Sequence, residues 1–294
     1  MAEVADIEVK KVDNAIPRVM FDTNTYRFII DGAVDNHGNT ADTYQQIRQM
    51  IIDGKIEAFL SETLFTIEAI QKKNRLSFMT AYEPEVSVSI SVDEDPAGGT
   101  MSFQFIIGPS ETQKVNLSET GPLQDYYNRA VALGFKIVRF PRISGITCDT
   151  INFDSLYKAD DMDAFLAKAF EVSEKIEERG AGEKFIDNVL APYNDKTNDP
   201  SKKFDLLAED IKKLPANEQR KRIEEVAKAF AEMSDGDSIA SSIGLGCCAF
   251  CTNDKAKDAG VSSVMSDSNV AWLKEEYGFN KVTPTELLEF LCAK

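Results

Sequence analysis

Four acidic residues stand where apolar segments end or where polar residues intrude on them. Asp22 follows the apolar run Val19-Met20-Phe21, and Asp254 follows Cys247-Cys248-Ala249-Phe250-Cys251 by way of Thr252 and Asn253. Glu68 lies among Leu64, Phe65 and Ile67, and Asp237 sits in Asp235-Gly236-Asp237-Ser238. Each alone has an ordinary structural use, as a turn former, a helix N-cap or half of an ion pair. Brought together, they would repel one another, and the usual resolutions are protonation or a divalent cation. Oxygen-only ligands favour Mg²⁺ or Mn²⁺ over zinc. A site of that kind activates water and neutralises charge on a phosphodiester, with two ions about 4 Å apart in its fullest version.

The rest of the composition narrows the chemistry further. His37 is the only histidine, which removes a His-rich zinc site and every triad that does not use that residue. Five cysteines, three of them crowded into one apolar run, fit buried thiols in a reducing compartment better than a disulfide framework. The spacing Cys248-Ala249-Phe250-Cys251 falls inside an apolar strand with no second pair, so it reads as packing rather than a redox motif. No apolar stretch reaches the roughly 20 residues of a membrane span, and the N-terminus has no signal-peptide pattern, so the expected location is cytoplasmic. The formal charge of -16 argues against holding polyanions by bulk electrostatics and leaves the task to local basic clusters or bound cations. Lys202-Lys203, Lys212-Lys213 and Arg220-Lys221-Arg222 are the candidates.

The elements that would position these residues alternate between strand and helix. Arg18 to Phe21 reads as a buried strand delivering Asp22 to its carboxyl end, where open α/β sheets keep their sites. A helix from Thr40 to Gly54 is expected next, then a strand over 55–60. A helix from Glu62 to about Lys73 should follow, with Glu68 on its buried face and Glu62 opposite. Val86, Val88, Ile90 and Val92 alternate with serines, and Met101, Phe103, Phe105 and Ile107 alternate again, which reads as a β-hairpin. A helix over 123–133, a strand over 135–140 and a helical stretch from Asp160 to Met233 come next. Asp235 to Ala240 is expected to start a short helix, Cys247 to Cys251 to form a strand, and the tail to add one short strand and a closing helix.

In this order the chain resembles the PIN-domain nucleases. The matching pieces are Asp22-Thr23-Asn24 after an apolar strand, Ala58-Phe59-Leu60-Ser61 leading to Glu68, Asp237-Ser238-Ile239-Ala240, Thr252-Asn253-Asp254-Lys255, and the ending from Val282-Thr283-Pro284 to Leu287. The resemblance implies a three-layer α/β/α fold with a central parallel sheet, here carrying an inserted β-hairpin and an added α-helical lobe. It implies an acidic metal site made by Asp22, Glu68, Asp237 and Asp254, with Asn24 and Thr252 as polar supports. It further implies Mg²⁺ or Mn²⁺ as cofactor, and RNA, single strands included, cut to leave 5′-phosphate and 3′-hydroxyl ends. Asp235, so close to Asp237, competes with it for the third position. The segments then read as an arm at 1–17, the core at 18–80, the hairpin insert at 81–122, more core at 123–145, the lobe at 146–233 and the last core segment at 234–294. Hairpin and lobe are the surfaces left for a protein partner or a second copy of the chain.

Two other classes compete. A haloacid-dehalogenase-like phosphatase also opens with an Asp at the end of its first strand, but needs a second Asp two residues later, where this chain has Asn24. A PIN-like fold could also serve as a binding module without cleavage. Trp272 and Tyr277 could stack bases, but core packing of their helix is the preferred reading.

Overall fold

The structure is a computed structural model, and it describes residues 16–35, 38–80, 84–93, 100–109, 115, 122–140, 148, 151, 155–254 and 262–292. Val19, Met20 and Phe21 are all buried, which is what a strand covered on both faces requires. This strand, β1 (Arg18–Phe21), is the centre of a five-stranded parallel sheet. β2 (Glu57–Ser61) and then β5 (Lys136–Val138) lie on one side of it, and β6 (Ala249–Cys251) and then β7 (Lys281–Val282) on the other. The chain therefore builds outward from β1, returns past it, and builds outward again. The strand order reverses between β1 and β6, and the crevice beyond their carboxyl ends is where sheets of this kind hold ligands.

Side-chain alternation along the strands separates two cores. Val19, Phe21, Ala58, Leu60, Ile137 and Cys251 face α1 (Thr23–Asp31), α2 (Ala41–Ile52), α4 (Leu123–Leu133) and α10 (Pro284–Cys292). Met20, Phe59, Val138 and Phe250 face α5 (Met162–Glu178), the end of α8 (Ala216–Gly244) and α9 (Asp267–Tyr277). The sheet is thus flanked by helices on both faces. α5, expected in an added lobe, instead covers the sheet: Phe165, Ala169 and Val172 pack with Met20 and Phe59. α6 (Lys184–Leu190) and α7 (Pro200–Lys212) pack on the N-terminal part of α8, with Phe204 stacked on Phe230 at 5.8 Å. α3 (Arg75–Thr80) leans on α7 and α8.

β3 (Pro84–Asp93) and β4 (Thr100–Pro109) pair antiparallel as a separate two-stranded sheet, the hairpin expected from alternation. Its turn, the N-terminal arm up to residue 15 and His37 lie outside the described residues. Among the described residues no helix is long and apolar enough to cross a membrane.

Two expected elements differ. No helix runs from Glu62 to Lys73: a 3₁₀ turn over Glu62–Phe65 stops at Thr66, whose φ and ψ of -115° and -96° leave helical space. Local hydroxyl bonds favour that outcome, because Ser61 caps Thr63 and Thr66 Oγ1 donates to the Glu62 carbonyl at 3.2 Å. Nor does a new helix start at Asp235, since α8 runs unbroken through it to Gly244. Gly236 is not punctuation there: a Cβ on it would lie 3.2 Å from the Gly182 Cα, so the glycine lets the α5–α6 connection approach the helix.

Candidate metal and phosphodiester site

Asp22 is the N-cap of α1, and its backbone N–H still donates to the Cys251 carbonyl at 3.0 Å, extending the β1–β6 ladder past the last strand residue. Its carboxylate receives three donors. Oδ1 accepts from the Thr23 N–H at 2.6 Å, and Oδ2 accepts from Asn24 Nδ2 at 2.7 Å and Thr252 Oγ1 at 2.6 Å. Thr252 Oγ1 in turn accepts the Asp254 N–H at 2.9 Å, and Asn24 Oδ1 accepts the Asn253 N–H at 2.8 Å. Asn24 and Thr252 therefore brace Asp22 and tie the turn after β6 to the first turn of α1. Asn24 is an amide donor to Asp22, which is not the place of a second acid of phosphatase type.

Behind this brace lies a buried polar network with no counterpart in the sequence reading. Asn253 Nδ2 donates to Asp35 Oδ2 at 2.9 Å, Asn39 Nδ2 donates to Asp35 Oδ2 at 2.6 Å and to Asn253 Oδ1 at 3.0 Å, and the Tyr44 hydroxyl donates to Asp35. Burial and the carboxylate of Asp35 push the Tyr44 phenol up, so it stays a donor.

Glu68 reaches the site from the turn after β2 rather than from a helix. Thr23 Oγ1 donates to its Oε2 at 2.7 Å, and the glutamate is pushed up to about 7 by burial first and then by the charge of Asp22. Arg75 and Arg27 act in the opposite direction on it. Glu62, expected to point away from the core, is buried and pairs with Arg139 at 3.3 Å, and burial pushes it up to about 7 as well.

Asp235, the alternative for the third position, feels the other acids. Burial raises its pKa well above the ordinary range, and the charges of Asp22, Glu68, Glu232 and Asp254 all add to the rise. Asp237 is 2 % exposed and, two residues on, projects roughly 160° away around α8. Of the expected set, Asp22, Glu68 and Asp254 act by charge on Asp235, and Asp237 lies two residues further along α8. Asp254, at the end of β6, adds its charge to the rise at Asp22 and Asp235. Asp22 itself is raised by burial, against the three hydrogen bonds it accepts. Glu232, one turn before Asp235, was not anticipated: it accepts the Val264 N–H at 3.1 Å and fixes the segment before α9 to α8.

These acids are partly buried and carry oxygen donors only, and Arg27 and Arg75 are the cations acting on Glu68. Among the described residues no group of three or more acidic, histidine or cysteine side chains is placed so that it could hold a metal ion.

The expected basic patch is mostly neutralised in place. Lys212 pairs with Glu209 at 2.9 Å, Lys213 with Asp210 at 2.9 Å, Arg220 with Glu224 at 3.2 Å and Arg222 with Glu225 at 2.8 Å, all within one helical turn. Trp272 and Tyr277 are likewise engaged, under Arg179 and Lys168 respectively, each at 4.6 Å.

No protein-family model, no curated protein and no solved structure matches the chain.

Proposed function

We propose that the protein is a PIN-like, divalent-cation-dependent nuclease that hydrolyses phosphodiester bonds, with RNA as the expected substrate. What supports this reading is that Asp22 and Asp254 follow the β1 and β6 ends, that Thr23 ties Glu68 to the first turn of α1, and that the charges of Asp22, Glu68 and Asp254 act together on Asp235. Buried like charges are costly, and a fold that keeps them together needs a use for the arrangement. Mg²⁺ or Mn²⁺, when bound, supplies Lewis acidity toward the phosphodiester and offsets its charge.

The chain's own residues do the rest of the work. Asn24 and Thr252 hold Asp22 in one orientation, and Asp22 is fixed to the backbone of both α1 and β6. Thr23 holds Glu68 at the opposite wall. Preorganised carboxylates of this kind avoid reorganisation during the reaction.

The test is incubation of mixed single-stranded RNA and DNA oligonucleotides with the protein in Mn²⁺, in Mg²⁺ and in chelator. Metal-dependent fragments with 5′-phosphate ends are expected. Cyclic 2′,3′-phosphate ends that persist in chelator would exclude the mechanism, and no cleavage under any condition would leave a binding role.

A further inference from the structure

An acidic site repels a polyanion, so a phosphodiester substrate needs cations beside it, and the cations nearby differ in what they have left to offer. Arg75 is 5 % exposed, with Nε donating to the Ile70 carbonyl at 3.2 Å and Nη1 to the Ala227 carbonyl at 2.9 Å. It is committed to joining the turn after β2 to α8. Arg129 is paired with Asp31 at 2.7 Å and with Asp125 at 3.3 Å. The lysines and arginines of α7 and the start of α8 are largely paired along their own helices.

Arg27 is different. It lies four residues after Thr23 on α1, so the two share a face of the helix, and Thr23 is the residue that holds Glu68. Its guanidinium lies over the Tyr126 ring at 5.3 Å and the Tyr26 ring at 5.8 Å, with Nε donating to the Tyr26 hydroxyl at 3.4 Å. Among the described residues no carboxylate stands within ion-pair distance of it. The aromatic faces fix the plane of the fork without consuming its remaining N–H groups. A half-exposed, oriented guanidinium at the rim of a carboxylate site is suited to a phosphate oxygen, which it can take by two parallel hydrogen bonds.

We infer that Arg27 is a phosphate-binding residue of this site, taking a non-bridging oxygen of the phosphodiester adjacent to the one cleaved, with Tyr26 and Tyr126 as its support. The inference rests on the nuclease reading. It makes α1 and the start of α4, rather than α7 and α8, the path of the nucleic-acid strand.

The test uses the full chain, a short 5′-labelled single-stranded RNA and Mn²⁺, with KM and kcat measured over a range of salt for the parent, Arg27→Gln, Arg27→Lys and Arg220→Gln, the last on the surface the strand is not expected to follow. Arg27→Gln should raise KM roughly ten- to a hundredfold, the worth of one charged hydrogen-bonded contact. The slope of log(kcat/KM) against log salt should fall by about one. Arg27→Lys should keep the slope and recover part of KM, and Arg220→Gln, at an exposed arginine paired with Glu224 on α8, should match the parent. The rise in melting temperature on adding Mn²⁺ should persist in Arg27→Gln, which reports folding and metal binding independently of RNA. Parental KM and salt slope in Arg27→Gln, or a loss confined to kcat, would overturn the assignment. A parent that shows neither Mn²⁺ stabilisation nor cleavage would instead overturn the nuclease reading, and the assignment with it.

Discussion

Thr23 Oγ1 donates a 2.7 Å hydrogen bond to Glu68 Oε2, tying the first turn of α1 to the irregular turn after β2. The bond joins two walls of the crevice across 45 residues of chain, and it stands next to Asp22, whose charge raises the Glu68 pKa. Positioning and repulsion therefore act on the same carboxylate.

That repulsion has a pH signature. Glu68 is pushed up to about 7, so in the metal-free protein its contribution to stability is fully present below its unfolded pKa near 4.5 and is lost as pH rises through 7. The amount is on the order of 3 kcal/mol. Glu68→Gln should match the parent in chelator at pH 4.5 and melt higher at pH 8. Glu62 is raised by burial in the same direction, so Glu62→Gln should flatten the profile separately, without affecting cleavage. Equal melting of Glu68→Gln and the parent at pH 8 would show that the carboxylate is not held against its charge.

Asp235 and Asp237 should separate cleanly. Asp235→Asn removes one of the mutually repelling charges, so it should raise the chelator melting temperature while reducing stabilisation by Mn²⁺ and cutting cleavage at least a hundredfold, about 2.7 kcal/mol of barrier. Asp237→Asn should leave the Mn²⁺ response intact. The reverse pattern in paired thermal melts and cleavage assays would restore Asp237 to the site.

The network behind the brace should be structural first. Tyr44→Phe removes a donor to buried Asp35, and losing one partner of a buried polar pair costs about 1–3 kcal/mol. Asn253→Ala removes the amide that links Asp35 to the turn carrying Thr252 and Asp254, so it should lower both stability and cleavage. Denaturant unfolding beside initial rates checks both, and an Asn253→Ala protein with unchanged stability would show the network is not rigid.

The strand ends were the legible part of the sequence, because a buried run of Val19-Met20-Phe21 or Ala249-Phe250-Cys251 can only deliver the next polar residues to the sheet's edge. Asp22 and Asp254 follow from that, whereas Asn24 and Thr252 come from the resemblance to the PIN-domain nucleases. Glu68 was placed on a helix that does not form, since apolar spacing over Leu64, Phe65 and Ile67 fits burial in a turn as well, and the threonine hydroxyls that break the helix act through local bonds. Asp235 was obscured by its neighbour: Asp-Gly-Asp reads as a helix start, and only the approach of Gly182 explains a glycine inside α8. The ion pairs of the basic clusters are legible as well. Their acidic partners sit three and four residues away in the sequence, and that spacing by itself foretold neutralised pairs.

The most direct measurement is a pair of thermal melts, in chelator and in Mn²⁺, on the parent and on Asp22→Asn, with one RNA cleavage assay alongside. Asp22 is braced by three donors yet raised by burial, so the Asn variant keeps its shape and loses a charge that the empty site disfavours. It should melt in chelator at the parental temperature or slightly above, gain much less from Mn²⁺, and not cleave. If Asp22 is only the cap of α1, Asn serves equally well there. An Asp22→Asn protein that keeps the parental Mn²⁺ response and the parental rate of cleavage would contradict the site proposed for this fold.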